Sequence, residues 1–192
     1  SATGSSAMGR KVAQKVGARL GKCLLELGGN NALIVSPHAN LKTTLLAAVF
    51  GAVGTAGQRC TSTRRLIVHE SVIKQVQEKL INTYKQLNIG NPLDSKNHFG
   101  PLIDQNSVDE YTNALKNISN EGAEWLVEGG VLSGEEYPSG CYVKPAVAKV
   151  NKDSAMAQKE TFAPILYLME YSGSIENAIA IQNDVDQGLS SA

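Results

Sequence analysis

The stretch NALIVSPHANLKTTLLAAVFGAVGTAGQRCTSTRRLIVH, residues 31–69, sets two short branched-apolar runs on either side of a longer apolar segment. Asn31–Val35 reads as a strand closed by Ser36-Pro37, and Arg65–His69 reads as another. Between them, spacing and length predict a helix from about Asn40 to Thr55. Leu45–Ala56, about 12 residues, falls short of the roughly 20 needed to cross a bilayer, so it reads as a buried helix. Strand, helix, strand in this order predicts parallel pairing.

Working outward, Lys22–Leu27 reads as a short buried strand ended by Gly28-Gly29. Downstream, Val72, Val76, Leu80, Tyr84 and Leu87 follow helical spacing from Ser71. Asn91-Pro92 and Gly100-Pro101 mark a long connection, after which Ser107 with Glu110 carries a capping-box signature. Val108, Tyr111, Leu115 and Ile118 form the stripe of that helix, and Gly122 stops it. Glu124–Val127 and Ile165–Tyr171 read as strands, Gly129–Gly140 as a turn-rich loop, Tyr142–Val150 as extended, and Ser174–Gln182 as a final helix. The expected fold is α/β, a mostly parallel sheet with covering helices.

The chain has 192 residues, with 18 Lys+Arg against 18 Asp+Glu, 42% hydrophobic and 5% aromatic. This apolar content can bury the core of one domain and part of another. Neutral charge without basic clusters argues against a nucleic-acid or membrane-surface partner. Three scattered cysteines, Cys23, Cys60 and Cys141, make a poor disulfide framework and fit a reducing compartment. The expected location is cytoplasmic, with mitochondrial as the alternative. Without an initiator Met, and ending on Leu189-Ser190-Ser191-Ala192, the chain reads as part of a larger protein.

Four segments could carry chemistry. In Thr3-Gly4-Ser5-Ser6-Ala7-Met8-Gly9, free N–H groups at a helix start could receive a phosphate. Arg10-Lys11 follows Gly9 where a phosphate-binding NTPase loop needs Lys then Ser/Thr, which disfavours that reading. In Leu25-Glu26-Leu27-Gly28-Gly29-Asn30-Asn31, a buried carboxylate at a strand end would be a candidate general base; an exposed strand-end Glu is the alternative. In Gly57-Gln58-Arg59-Cys60-Thr61, backbone N–H groups beside a thiol could stabilise an oxyanion. Arg59 could favour the thiolate or bind an anionic substrate group, while inert packing is the bland reading of the cysteine. In Lys159-Glu160-Thr161-Phe162-Ala163-Pro164, an acid and an aromatic ring could grip a sugar diol and a planar ring, or form an ordinary turn. His38, His69 and His98 lack metal-ligand spacing, and His69 has no special claim as a base for Cys60. Trp125 is expected in the core.

In this order the four segments resemble the aldehyde dehydrogenase superfamily, most closely its antiquitin-type subfamily, which oxidises α-aminoadipic semialdehyde. The pieces are Thr-Gly-Ser at 3–5, Glu-Leu-Gly-Gly-Asn-Asn at 26–31, Gly-Gln-Arg-Cys-Thr at 57–61 and Glu-Thr-Phe-Ala-Pro-Ile-Leu-Tyr at 160–167. The resemblance implies the end of an NAD-binding domain at 1–27, then a catalytic domain at 28–192 truncated at its C-terminus. It implies Cys60 as nucleophile and Glu26 as the base that activates water. It implies NAD as cofactor, bound by Gly4, Ser5, Glu26, Leu27, Gly28, Glu160 and Phe162. Arg59 and Thr61 would meet the substrate, a small-molecule aldehyde, and no metal is implied. The full-length protein would be a homo-oligomer, dimer or tetramer, and the isolated 192 residues would be inactive. The competing function is a non-catalytic relative serving packing or partner binding.

Overall fold

The computed structural model describes all 192 residues, Ser1–Ala192. In chain order the elements are β1 (Ala2–Thr3), α1 (Ser6–Gly17), β2 (Leu25–Glu26), β3 (Asn31–Val35) and α2 (Leu41–Val53). A 3-10 turn at Gly54–Gly57 leads to β4 (Thr63–His69), α3 (Ile73–Tyr84), α4 (Gln105–Asn120), β5 (Glu124–Val127) and β6 (Gly130–Val131). β7 (Val143–Lys144), β8 (Ala146–Lys149), β9 (Ile165–Tyr171) and α5 (Ile175–Asn183) complete the chain.

Five strands form one sheet in the order β3-β4-β9-β8-β5. The first four are parallel, and β5 pairs antiparallel with β8 at the edge. Leu66, Ile67 and Val68 are consecutive and all 0% exposed. Since successive strand residues point to opposite faces, both faces of β4 are covered, as a parallel sheet requires. Leu66, Ile67, Leu166, Leu168 and Val147 fill the core, and each such side chain contributes about 1.5–3 kcal/mol by leaving water. A separate pair, β1 with β2, carries α1 and lies outside this sheet.

The parallel strands β3, β4 and β9 share a direction and are neighbours, so their N-terminal ends lie along one edge. The residues leading into them, 26–30, 54–62 and 159–164, are therefore brought side by side. Strand polarity, and not sequence proximity, assembles the candidate segments.

The strands at 31–35, 124–127 and 165–171 and the parallel pairing match the expectation. Other expectations are corrected. The strand expected over Lys22–Leu27 shrinks to Leu25–Glu26, because only the short β1 pairs with it. The helix expected to reach Thr55 ends at Val53, where the chain turns left-handed, and it is not wholly buried: Leu46 and Phe50 are exposed. The cap of α4 is Asp104, whose carboxylate accepts from the Ser107 N–H at 2.9 Å; Ser107 stands inside the first turn. Trp125 is half-buried at the sheet edge, its indole N–H donating to Ser119 Oγ at 3.0 Å, and is not a core residue.

Tyr111 of α4 is fully buried, and its hydroxyl donates to the Lys144 carbonyl while accepting from the Gly130 N–H at 2.9 Å. It ties the helix to the β6–β7 ribbon. Tyr111→Phe strands both backbone groups, so denaturant unfolding of the protein should show a loss of about 1–3 kcal/mol. Unchanged stability would contradict this role.

Candidate active site

Cys60 follows α2 through an unusual turn. Thr55, Ala56 and Gly57 all adopt left-handed φ, at 56°, 52° and 69°. For the two non-glycine residues this costs roughly 1–2 kcal/mol each, and a β-branched Thr is the rarer case. The strain is held from several sides. Ala56 is buried, and Gln58 Nε2 donates to the Thr55 carbonyl at 3.2 Å. The same amide donates to the Pro101 carbonyl, and its Oε1 accepts from the Ile103 N–H at 2.8 Å. Gly57 lies so close to β9's lead-in that a Cβ would stand 2.5 Å from the Ala163 carbonyl. The product of this turn is an exposed thiol. Asn31 fixes its backbone, donating from Nδ2 to the carbonyls of Cys60 at 2.7 Å and Ser62 at 2.8 Å.

Arg64, 1% exposed, lies at the centre of the converging segments. Its Nε donates to the Gly29 carbonyl at 3.2 Å, and Nη1 donates to the carbonyls of Gly57 at 3.2 Å and Thr161 at 2.7 Å. Nη2 donates to the Arg59 carbonyl at 3.1 Å and to Glu160 Oε1 at 3.3 Å. Burial pulls the guanidinium below its ordinary pKa, and the Glu160 carboxylate is the largest influence raising it again. Glu160 Oε1 also accepts from the Gly29 N–H at 3.2 Å, and a Cβ on Gly28 would fall 1.8 Å from Oε2. Arg65 is buried beside it, donating to the carbonyls of Asn30, Ile181 and Gln182.

The remaining expected residues fall as follows. Gly4 and Ser5 are exposed at the start of α1, Ser5 capping it by accepting from the Met8 N–H at 3.2 Å. They join the other segments through Thr3, which pairs with Glu26. Leu27 is half-buried, with α1 resting on it at Gly9. Glu26 is exposed, the second of the two readings left open for it, so these residues do not desolvate its carboxylate. Arg59 turns back over α2: its guanidinium sits 5.0 Å from the Phe50 ring centroid and against Gly54. Thr61 is exposed, and Phe162 is 41% exposed with its ring 5.2 Å from Arg64 Cζ. His69 lies at the far end of β4, about 20 Å along the strand from the cysteine end by strand rise, and is held by Ser71. A cavity of about 890 Å³ lined by Glu121, Lys149, Ser154 and Glu170 contains none of these site residues.

Sequence reading missed Arg64, Gln58 and the structural work of Asn31. The available signal for Arg64 was a pair of arginines opening an otherwise apolar strand, where alternation forces the two to opposite faces.

On this α/β scaffold the segments are those of the aldehyde dehydrogenase family: its sequence model matches residues 1–192, and the chain belongs to that family. It is 45% identical over 190 residues to aldehyde dehydrogenase family 7 member A1 of Pisum sativum, covering 99% of this chain and 36% of that protein. It is 43% identical over 191 residues to alpha-aminoadipic semialdehyde dehydrogenase of Rattus norvegicus, covering 99% of this chain and 34% of that one. Among solved structures, betaine aldehyde dehydrogenase from Staphylococcus aureus in complex with NAD+ matches with a TM-score of 0.94 at 25% identity, over 98% of this chain and 38% of that chain. The chain thus spans about a third of the length of these proteins.

The Gly57 contact gives a direct test. Gly57→Ala forces a side chain into both a left-handed φ and the Ala163 carbonyl. The melting temperature should fall, and the rate at which iodoacetamide alkylates Cys60 should change from that of the unaltered protein while that of Cys23 stays the same. An unshifted melting curve with unchanged alkylation would contradict the account of the turn.

Proposed function

We propose that this chain carries the catalytic cysteine of an NAD-dependent aldehyde dehydrogenase that oxidises an acidic semialdehyde, such as α-aminoadipic semialdehyde, to the carboxylate. The observation that carries the reading is the single junction joining the Gly28-Gly29 turn, the Cys60 turn and Glu160 through Arg64. In this reading residues 1–27 close an NAD-binding domain and 28–192 belong to the catalytic domain.

The residues present fit NAD. Gly28 leaves open the space that a Cβ would take beside Glu160 Oε2, and that oxygen accepts no hydrogen bond from the chain. Glu160 would hold the nicotinamide ribose, with Phe162, Leu27 and Gly28 alongside. Gly4 and Ser5, at the N-terminus of the 12-residue α1, would face the pyrophosphate. When bound, NAD supplies the hydride acceptor that turns the cysteine adduct into a thioester.

Cys60 Sγ attacks the aldehyde carbon as thiolate, giving a thiohemiacetal whose oxyanion can accept from the Cys60 N–H. Glu26 takes a proton from the water that hydrolyses the thioester, releasing the acid and regenerating the thiolate. Its exposed position leaves room for that water. Thr61 stands next to the nucleophile on the substrate side. Arg59 binds the distant carboxylate through its Nη donors: Phe50 supports the face of its guanidinium, the Nε is buried without a partner, and the side chain makes no hydrogen bond within the chain.

In the full-length enzyme, Cys60→Ser should abolish NADH production with every aldehyde. Arg59→Ala should raise KM for an acidic semialdehyde by about tenfold or more while leaving a neutral aldehyde within about threefold. Retained turnover in the first variant sinks the nucleophile assignment, and equal loss on both aldehydes sinks the role of Arg59.

A further inference from the structure

Arg64 is buried among backbone carbonyls, yet one of its five donors is spent on a carboxylate. Four of the five go to the carbonyls of Gly29, Gly57, Arg59 and Thr161, enough to tie the turns together. The fifth, on Nη2, holds Glu160 by Oε1 alone. The Gly29 N–H binds the same oxygen. Both contacts, at 3.3 and 3.2 Å, are long for N–H···O, so they orient the carboxylate without exhausting its capacity to accept. Oε2 receives no donor from the chain and lies over Gly28, where only a glycine leaves room.

The Phe162 ring covers the guanidinium from outside, and the Arg64 side chain is 1% exposed against 16% for Glu160. Arg64 therefore reaches a ligand through Glu160 and not directly. A carboxylate with one oxygen clamped and the other bare is set to accept from a vicinal diol, with part of the ordering cost already met in the free protein.

We propose that Arg64 is a positioning residue for cofactor binding: it clamps Glu160 Oε1 so that Oε2 faces the nicotinamide ribose hydroxyls. This rests on the reading of Glu160 as the ribose ligand. Arg64 also holds the Gly57 and Arg59 carbonyls, so the clamp couples the cofactor carboxylate to the turn that carries Cys60. Lysine would keep the charge but not the fork that serves five acceptors.

The test is a double-mutant cycle on NAD affinity in the full-length enzyme, measured by isothermal titration with NAD and no aldehyde. Arg64→Met alone and Glu160→Gln alone should each weaken NAD binding by about tenfold. In the Glu160→Gln background, Arg64→Met should weaken it by less than about threefold further. A purely structural arginine would instead give additive losses, because collapse of the turns harms binding whatever stands at 160. Additive losses, or unchanged affinity in Arg64→Met, overturn the proposal. Unchanged affinity in Glu160→Gln overturns the reading of Glu160 itself. If Arg64→Met does not fold, Arg64→Lys enters the same cycle with the same criteria.

Discussion

The guanidinium of Arg64 is the constraint on which the rest of the site depends. Taking a cation out of water costs several kcal/mol, and it is tolerated only where every N–H finds an acceptor. Here all five do, and the acceptors belong to three segments far apart in sequence: Gly29, Gly57 and Arg59, and Glu160 and Thr161. The parallel order of β3, β4 and β9 brings these segments to one edge, and Arg64 sets their spacing once there. Arg65, pointing to the opposite face, does the same for Asn30 and the C-terminal carbonyls of α5. Two adjacent arginines thus fasten both faces of one strand to the loops around it.

The cysteine turn draws on that fastening. A left-handed Thr55 and Ala56 would relax in an isolated peptide. They persist because Ala56 is buried, Gln58 bridges to the 101–103 connection, and Gly57 is locked between Arg64 and the Ala163 carbonyl. The strained turn points Cys60 outward at the end of a helix that otherwise buries its small residues Ala48 and Ala52. Strain of this kind gathers where a side chain must be aimed, and the nucleophile proposed here is such a side chain.

Much of the fold was legible because its signals were local. Asn31–Val35 and Ile165–Tyr171 are bounded by turn residues and rich in branched side chains, and α3 and α4 repeat their apolar residues at helical spacing. The site segments were legible as motifs through their resemblance to a family. The packing that joins them was not. The arginine pair at the head of an apolar strand does not by itself reveal what Arg64 joins, since its acceptors Gly29, Glu160 and Thr161 lie 35, 96 and 97 residues away. Asp104 displaced Ser107 as cap of α4 because both are good caps and the last residues of the connection decide which has extended backbone. Lys22–Leu27 looked like a full strand, but pairing length is set by the partner, and β1 offers two residues. Glu26, for which a buried and an exposed strand end were both open, is exposed because it ends a two-stranded ribbon outside the main sheet.

The central claim is that Cys60, set by this packing, forms the covalent adduct. It is tested most directly by trapping that adduct in the full-length enzyme carrying Glu26→Gln. After incubation with NAD and a semialdehyde, acid quench and proteolysis, mass spectrometry should find one acyl group per chain on the peptide bearing Cys60. Acylation confined to Cys23 or Cys141, or no acylation despite NADH release, would contradict the account.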